Sequence, residues 1–266
     1  MKKRNKILMA VIAILLCLVL LSTSLVSGIF AKFVIRKSGS TTIKFDKFGV
    51  SLHVSGDDAT PTIVNNGKNA TITYAVHNMN PDVTFDDVIR FAFDGQQTVP
   101  IDVTVKVDVT THSNFLLDTS EFGSLQSSTA YMPLLFKVGT VANKDTATCA
   151  NVTSTDAWIS GSTTAALDLA IEQAIAAQIA VAMDVEDSNT ADSSVTKSFA
   201  KTAPIVFKDN AKGIGFGFAW SMGNDSSTSP TDALHNAIEN YLANQFAATD
   251  NPITITFTVS VEQTGA

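Results

Sequence analysis

Histidine, cysteine and clustered carboxylates are the side chains of this 266-residue chain with the types needed for metal binding or catalysis. The histidines are His53, His77, His112 and His235. No two of them have the His-x-x-x-His spacing that places two zinc ligands on one face of a helix. Cys149 lies in no cysteine-protease signature, and the sequence contains no Gly-x-Ser-x-Gly elbow or phosphate-binding loop. We therefore predict no catalytic residues and a protein that is not an enzyme.

Acidic pairs are the best candidates for a metal site, because calcium takes several carboxylate and carbonyl oxygens from loops. The pairs are Asp57 with Asp58, Asp86 with Asp87, and Glu186 with Asp187. None of them has the spaced Asp/Asn ladder of an EF-hand loop. The alternative is a solvated acidic surface that keeps the protein soluble. Calcium is thus a hypothesis for these loops, and no other cofactor is expected.

The first 31 residues have the layout of a secretory signal peptide. Residues 1–6 carry four positive charges, and residues 7–26 carry none of either sign. Cleavage after Ala31 would leave Lys32 as the new N-terminus of an exported protein. A run of about twenty apolar residues is also long enough to cross a bilayer, so the alternative is an uncleaved membrane anchor.

The chain that follows residue 31 is distinctly acidic. The first 31 residues contain four of the 18 Lys+Arg and none of the 25 Asp+Glu, so 14 basic residues remain against 25 acidic ones and the formal charge changes from -7 to -11. This charge disfavours nucleic acid as a partner, because phosphate backbones are bound through Lys and Arg. Cys17 would leave with the signal, so Cys149 could form no disulfide within the chain and the fold would depend on its hydrophobic core.

Apolar and polar residues alternate with a period of two in several segments, which predicts half-buried strands. These segments are 50–54, 72–76, 101–109, 214–222 and 253–261, with shorter candidates at 131–138 and 204–208. In the fourth segment the glycines Gly213, Gly215 and Gly217 fall on the outer face, where another element can pack closely against the backbone. Strands without regular crossover helices predict an all-β fold, an antiparallel jelly-roll-like β-sandwich.

Two segments with helical patterns interrupt the strands. Residues 164–183 carry a large apolar residue at every fourth position, which forms one stripe on a helix. The stripe consists of Leu167, Ile171, Ile175 and Ile179. Residues 230–246 follow Ser229, a good N-cap, and begin with proline at the first helical position. Both helices are expected to cover open ends of the sandwich. The segment 184–197 between them is expected to be a mobile exposed loop.

The predicted organisation has three parts. Residues 1–31 are the signal peptide or anchor, and residues 32–48 are a flexible N-terminal segment and candidate donor strand. Residues 49–266 form the β-sandwich domain with its two helical insertions.

Specific residues near the start of the chain carry a resemblance to known proteins. They are Gly28-Ile-Phe-Ala31, then Lys32-Phe33-Val34, the spacer Ser38-Gly-Ser-Thr-Thr42, and the stretch from Ile43 to Val50. This order resembles the TasA/camelysin-like family of Firmicutes exported matrix proteins, in which a specialised signal peptidase cuts after a Gly-x-aromatic-Ala site. The C-terminal half is also similar, with an aromatic strand that contains Trp220 and a last strand that ends in Val-x-Val-x-Gln. Residues 60–200 give no specific match.

The resemblance implies a secreted subunit of an extracellular biofilm-matrix or cell-surface fibre. Family subunits are thought to join by handing the freed N-terminal segment to a neighbouring subunit as an extra strand. In this chain the apolar residues of that candidate donor strand are Phe33, Ile35, Ile43 and Phe45. An extended segment of this kind can complete the unpaired edge of a sheet. The implied partners are further copies of the chain, the signal peptidase and accessory matrix proteins. The alternative is that residues 32–41 are only a linker.

A surface-displayed module that binds a carbohydrate or a host surface is the competing interpretation of an acidic β-sandwich. Its natural sugar-stacking residues would be Tyr131 and Trp158, although aromatic residues of this kind also fill cores. A fibre subunit should change size with concentration, whereas a monomeric binding module should not.

Overall fold

A computed structural model describes the following residues of the chain: 39–45, 47–56, 62–65, 69–76, 89–111, 130–132, 134–144, 150–154, 159–161, 163–186, 190–220, 240–241, 244 and 253–264. The strands within these ranges are β1 (Gly39–Phe45), β2 (Val50–Gly56), β3 (Thr62–Asn65), β4 (Asn69–Val76), β5 (Ile89–Gly95), β6 (Ile101–Thr111), β7 (Ala130–Met132), β8 (Leu134–Val141), β9 (Ala150–Ser154), β10 (Ile159–Gly161), β11 (Ser194–Phe199), β12 (Gly213–Trp220) and β13 (Ile253–Gln263). The one long helix described is α1 (Thr164–Met183).

Two antiparallel sheets form the body of the fold. The six-stranded sheet has the order β1-β2-β5-β12-β8-β9, and the five-stranded sheet has the order β11-β6-β13-β4-β3. A separate two-stranded sheet pairs β10 with β7. The prediction of an all-β sandwich is confirmed, and its jelly-roll detail stays a prediction.

The alternating segments form strands with the predicted faces. Along β6 and β13 each apolar residue is buried and each polar residue between them is at least partly exposed. Because register fixes which face is buried, the long β6·β13 pairing from Ile253↔Thr111 to Gln263↔Ile101 sets the inner face of the whole five-stranded sheet.

Phenylalanines from both sheets meet in the core. The Phe257 ring of β13 lies edge-on to Phe91 of β5 and to Phe216 of β12, with centroids 5.1 and 5.0 Å apart. Phe216 in turn stacks on Phe136 of β8 at 6.1 Å. Such edge-to-face pairs contribute about 0.5–1.5 kcal/mol each beyond the area that they bury, so this cluster holds the two sheets face to face.

Glycine allows β12 to approach β5 closely. A Cβ on Gly213 would lie 2.0 Å from the carbonyl oxygen of Phe91 and 2.7 Å from Cα of Ala92. The element that packs on this glycine is therefore the neighbouring strand itself. Gly213, Gly215 and Gly217 are all buried, so their face of β12 is covered, whereas the alternation predicted an outer face.

Helix α1 confirms the predicted range 164–183 residue for residue. Thr163 caps it, because its hydroxyl accepts a hydrogen bond from the backbone N–H of Ala166 at 3.1 Å. The whole predicted stripe is buried, and the helix packs against β6 and β11 of one sheet and β8 and β12 of the other. It thus covers one side of the sandwich, and the expectation that the helices cover its open ends stays a prediction.

Two local predictions are wrong. The segment 184–197 is not a loop throughout, because Ser194 begins β11 and Val195 is buried in the core. The segment 204–208 forms only an isolated bridge between Gln96 and Pro204, and a turn at Asp209 and Asn210 follows it.

Of the predicted helix 230–246, Asn240, Tyr241 and Asn244 are described as helical, and the rest lies outside the described residues.

The sandwich begins earlier in the chain than the sequence predicted. Strand β1 covers Gly39–Phe45 and pairs with β2, inside the segment 32–48 that was assigned to a flexible N-terminal region.

Among the described residues, α1 alone is long and apolar enough to cross a membrane, and half of its most apolar stretch is buried inside the protein, as in a core helix.

Candidate functional site

The candidate site for assembly is the edge of the six-stranded sheet formed by β1. All seven residues of β1 pair with β2, from Gly39↔Gly56 to Phe45↔Val50, and no other described strand pairs with β1. Ile43 and Phe45 point into the core and are 3% and 0% exposed. Two of the four predicted donor-strand residues therefore fill the core of their own chain, and Phe33 and Ile35 lie outside the described residues, as do Ala31 and Lys32.

The outer face of β1 is polar. The hydroxyl of Thr42 and Nδ1 of His53 on β2 share a hydrogen bond of 2.9 Å. His53 thus lies on the wet face of its strand, which is where the alternation of β2 places it. This contact links β1 to its own sheet through side chains as well as through the backbone.

The opposite sheet has an edge that α1 protects. β11 pairs with β6 only as far as Ser194↔Lys106, and Ser193 accepts one more backbone bond from Val107 at 2.9 Å. Farther along β6, the backbone N–H groups of Val109 and Thr111 have no strand partner on that side within the described chain, because their other neighbour is β13.

Two carboxylates of α1 accept those N–H groups. Glu172 Oε1 lies 2.8 Å from the nitrogen of Val109, and its Oε2 accepts from the hydroxyl of Ser193 at 3.1 Å. Asp168 Oδ1 accepts from the backbone nitrogen and the hydroxyl of Thr111, at 2.9 and 2.6 Å. Since unpaired strand N–H groups invite pairing with another chain, these contacts close this part of the edge. No sequence motif marks either residue, although they are the only charged residues of α1.

β11 is regularly paired over six residues, one fewer than β1, and the two remaining edge strands are shorter or less regular. β3 has four residues, of which Val64 is 60% exposed. β9 pairs with β8 through an irregular register between Val138 and Thr140. Short and irregular edges are poor templates for an added strand, and β1 is the longest regularly paired of these four edge strands.

An ion pair lies on the outer face of the five-stranded sheet. Lys106 on β6 donates to Asp108, and this hydrogen bond raises the pKa of the Lys106 ammonium above its ordinary value of 10.5. The charges of Asp108 and Glu172 act in the same direction, whereas the slight desolvation of the ammonium opposes them. Both side chains of the pair are about half exposed, so the pair is a surface feature.

The calcium hypothesis has no structural test in the described part of the chain. Asp57, Asp58, Asp86, Asp87 and Asp187 lie outside the described residues, and Glu186 is exposed. Among the residues that the structure does describe, no group of three or more His, Cys, Asp or Glu side chains is placed to hold a metal ion. The calcium site stays a prediction.

Comparison with known proteins adds no assignment. No protein-family model matches the chain, and no curated protein matches it at a significant level. The function must therefore be argued from the edges and surfaces described above.

Proposed function

We propose that this chain is a secreted structural protein whose copies assemble into an extracellular fibre by exchanging strand β1. The observation that carries the proposal is the edge position of β1, which follows directly on the N-terminal region and pairs with β2 along its whole length. An edge strand at the start of a domain can leave its own sheet and occupy the equivalent place in a neighbour.

The exchange is plausible energetically because the same contacts form in both arrangements. Ile43 and Phe45 each contribute about 1.5–3 kcal/mol by burial, and a neighbour's β2 offers the same apolar surface in the same register. The assembled state then differs from the closed monomer mainly in linker strain and in the entropy of association. A heterologous contact of this type, repeated from copy to copy, produces a filament.

Protection of the part of β6 that extends beyond β11 reduces the number of places where a strand could be added. Asp168 and Glu172 occupy N–H groups that would otherwise compete for an incoming strand. These contacts remove one competing place for strand addition, while β11 remains a regularly paired edge strand of that sheet.

A reversible covalent lock on β1 tests the proposal. The side chains of Thr42 and His53 face each other on the outer surface, so a T42C/H53C double variant in a C17S/C149S background would tie β1 to its own β2. The matched control is T104C/T196C, which ties β6 to β11 at a similar side-chain contact of 2.8 Å. Light scattering and electron microscopy of the protein secreted by its host would follow assembly.

We expect the oxidised T42C/H53C protein to remain monomeric and to assemble after reduction. The control should assemble under both conditions. Equal fibre formation by the oxidised T42C/H53C protein would contradict strand exchange. A wild-type protein that stays monomeric at all concentrations would instead favour the alternative function, a surface-displayed carbohydrate- or host-binding module.

Secretion belongs to the same proposal. Processing by a signal peptidase after Ala31 would free the segment that leads into β1, and accessory matrix proteins are candidate partners for nucleation. N-terminal sequencing of the protein from the culture medium is the direct measurement, and Lys32 is the expected first residue. An intact Met1 found only in membranes would support the anchored form.

A further inference from the structure

A cavity of about 220 Å³ opens beside the end of β5, where the segment after β8 and the segment before β12 converge. Phe93 and Ile205 line its apolar part, and both are 3% exposed. Asp94, Asn143, Lys144 and Lys212 supply its polar part. The volume lies below the range of roughly 300–1,000 Å³ that holds drug-sized ligands, so the cavity suits a group the size of one sugar ring.

The charges at the cavity have the opposite sign to the chain as a whole, whose formal charge is -7. The ammonium of Lys212 has no hydrogen bond or ion pair within the described residues. Lys144 has a single long ion pair, 3.7 Å from Asp94, and both side chains are about half exposed. An exposed pair of this length is weak, so Lys144 can exchange Asp94 for a ligand at little cost. The cavity therefore offers two available ammonium groups.

Backbone hydrogen bonds hold Lys212 in place. Its carbonyl accepts from the backbone nitrogen of Phe93 at 2.8 Å, and its own nitrogen donates to the carbonyl of Val141 at 3.0 Å. The preceding turn is closed by a bond of 3.1 Å from the nitrogen of Ala211 to the carbonyl of Lys208. Both neighbouring strands thus fix the backbone of Lys212 at the cavity, so binding need order only its side chain.

The floor of the cavity is equally fixed. The Phe93 ring packs edge-on against Phe207 at 5.8 Å, and Phe207 packs in the same way against Phe199 at 6.0 Å. Because Phe93 and Ile205 are each only 3% exposed, this rigid floor offers a small apolar contact to the C–H groups at one edge of a sugar ring. Asp94 and Asn143 at the rim supply the acceptors and donors that hydroxyl groups need.

We infer that this cavity binds a sugar acid, a single uronic acid ring with its carboxylate on Lys212 and Lys144. The carboxylate of Asp94 argues against inorganic phosphate, because a dianion would be repelled by it. The two lysines argue against a neutral sugar, which would bring no charge to the ammonium of Lys212 and would leave Lys144 with only its long pair to Asp94. The carboxylate of a uronic acid can accept hydrogen bonds from the two lysines, and its hydroxyls can donate to Asp94. Its ring can contact the apolar floor. This site lies at residues other than β1 and does not depend on the assembly proposal.

The test uses the full-length chain in a mild non-ionic detergent and ligand-observed NMR titration. The probes are sodium glucuronate, a tetramer of a uronic acid, glucose and inorganic phosphate. The variant is K212M, which keeps the apolar stem of the side chain and removes its charge. The matched control is K106M, because Lys106 lies on the outer face of the other sheet.

We expect saturable binding of glucuronate that K212M weakens roughly tenfold, as for the loss of one charge-assisted hydrogen bond, and that K106M leaves unchanged. Tighter binding of the tetramer than of glucuronate would identify a polysaccharide as the source, and equal binding would identify the free acid. Absence of saturable glucuronate binding would overturn the inference, as would unchanged affinity in K212M. Glucose or phosphate binding as tightly as glucuronate would overturn the assignment to a sugar acid. None of these results depends on fibre formation.

Discussion

Glu172 on α1 accepts a hydrogen bond of 2.8 Å from the backbone N–H of Val109 on β6. The two residues are 63 positions apart in the chain, and the contact replaces the bond that a neighbouring strand would make. The side chain of Glu172 therefore accepts the backbone hydrogen bond that a neighbouring strand would otherwise accept. This arrangement explains why a helix with an apolar surface retains a carboxylate that faces the sheet.

Replacing Glu172 with alanine should lower the free energy of unfolding by about 1–3 kcal/mol, because the N–H of buried Val109 loses its acceptor. Urea denaturation followed by circular dichroism measures the change. Q173A is the matched control for the effect of alanine on the helix, and it should have little effect. Equal stabilities of E172A and Q173A would contradict a role for Glu172 at this edge.

The C-terminus of α1 depends on Lys197, whose ammonium donates to the carbonyl of Met183 at 2.6 Å and lies 3.7 Å from the carboxylate of Asp184. A cation near the last carbonyls of a helix stabilises it. K197M should therefore lower the thermal unfolding midpoint, with a loss of about 1 kcal/mol. K201M removes an exposed lysine nearby in the sequence, and a similar loss in that variant would argue against the capping contact.

Gly213→Ala should be strongly destabilising, because its Cβ would overlap the carbonyl oxygen of Phe91. Relief of the overlap requires β12 and β5 to separate, and overpacking of this kind costs about 1–3 kcal/mol or more. Denaturant unfolding measures the loss. A G213A protein as stable as wild type would mean that the two strands separate easily at this point.

The Lys106–Asp108 pair makes a small contribution that depends on pH. Because the folded-state pKa of Lys106 is raised above 10.5, the contribution is complete below that value and is lost as the pH rises through the folded-state pKa. The pair is half exposed, so its contribution should stay below about 1 kcal/mol. D108N should bring the pKa of Lys106 back toward 10.5, as followed by NMR titration, and an unchanged pKa would show that Asp108 is not its cause.

Most strands that the sequence predicted have one buried face, and β12, which is buried on both faces at residues 213–217, was predicted because glycine alternates there with large apolar residues. β6 and β13 alternate without interruption, so their inner and outer residues can be identified from period alone. β5 was missed because its residues from Ile89 to Phe93 are buried on both faces, and Arg90 among them is only 7% exposed. A strand of this kind has no alternation to detect.

β11 was missed for a different reason. Its composition of Ser, Thr and Lys is typical of a loop, and Lys197 takes an inward position that alternation would assign to an apolar residue. Only the nearby end of α1 explains that lysine, since its ammonium reaches the carbonyl of Met183. The position of Lys197 in β11 therefore follows from a tertiary contact and not from the local sequence pattern.

The edge contacts and the cavity were equally beyond local sequence patterns. Asp168 and Glu172 meet partners 57 and 63 residues away, and the cavity draws on three separate segments of the chain. One sequence signal did exist for the carboxylates. Two acids four residues apart on an otherwise uncharged helix share one face, and on a helix that covers a core this face must meet polar groups.

The position of β13 has a consequence for the order of events during synthesis. It lies between β6 and β4 in its sheet, yet it follows every other described strand in the chain, and its Thr256 meets Thr73 across 183 residues. Until the ribosome has made residues 253–263, the earlier strands of this sheet have a gap at their centre. The five-stranded sheet can therefore close only after the last strand has been made, so its folding depends on contacts between segments far apart in the chain.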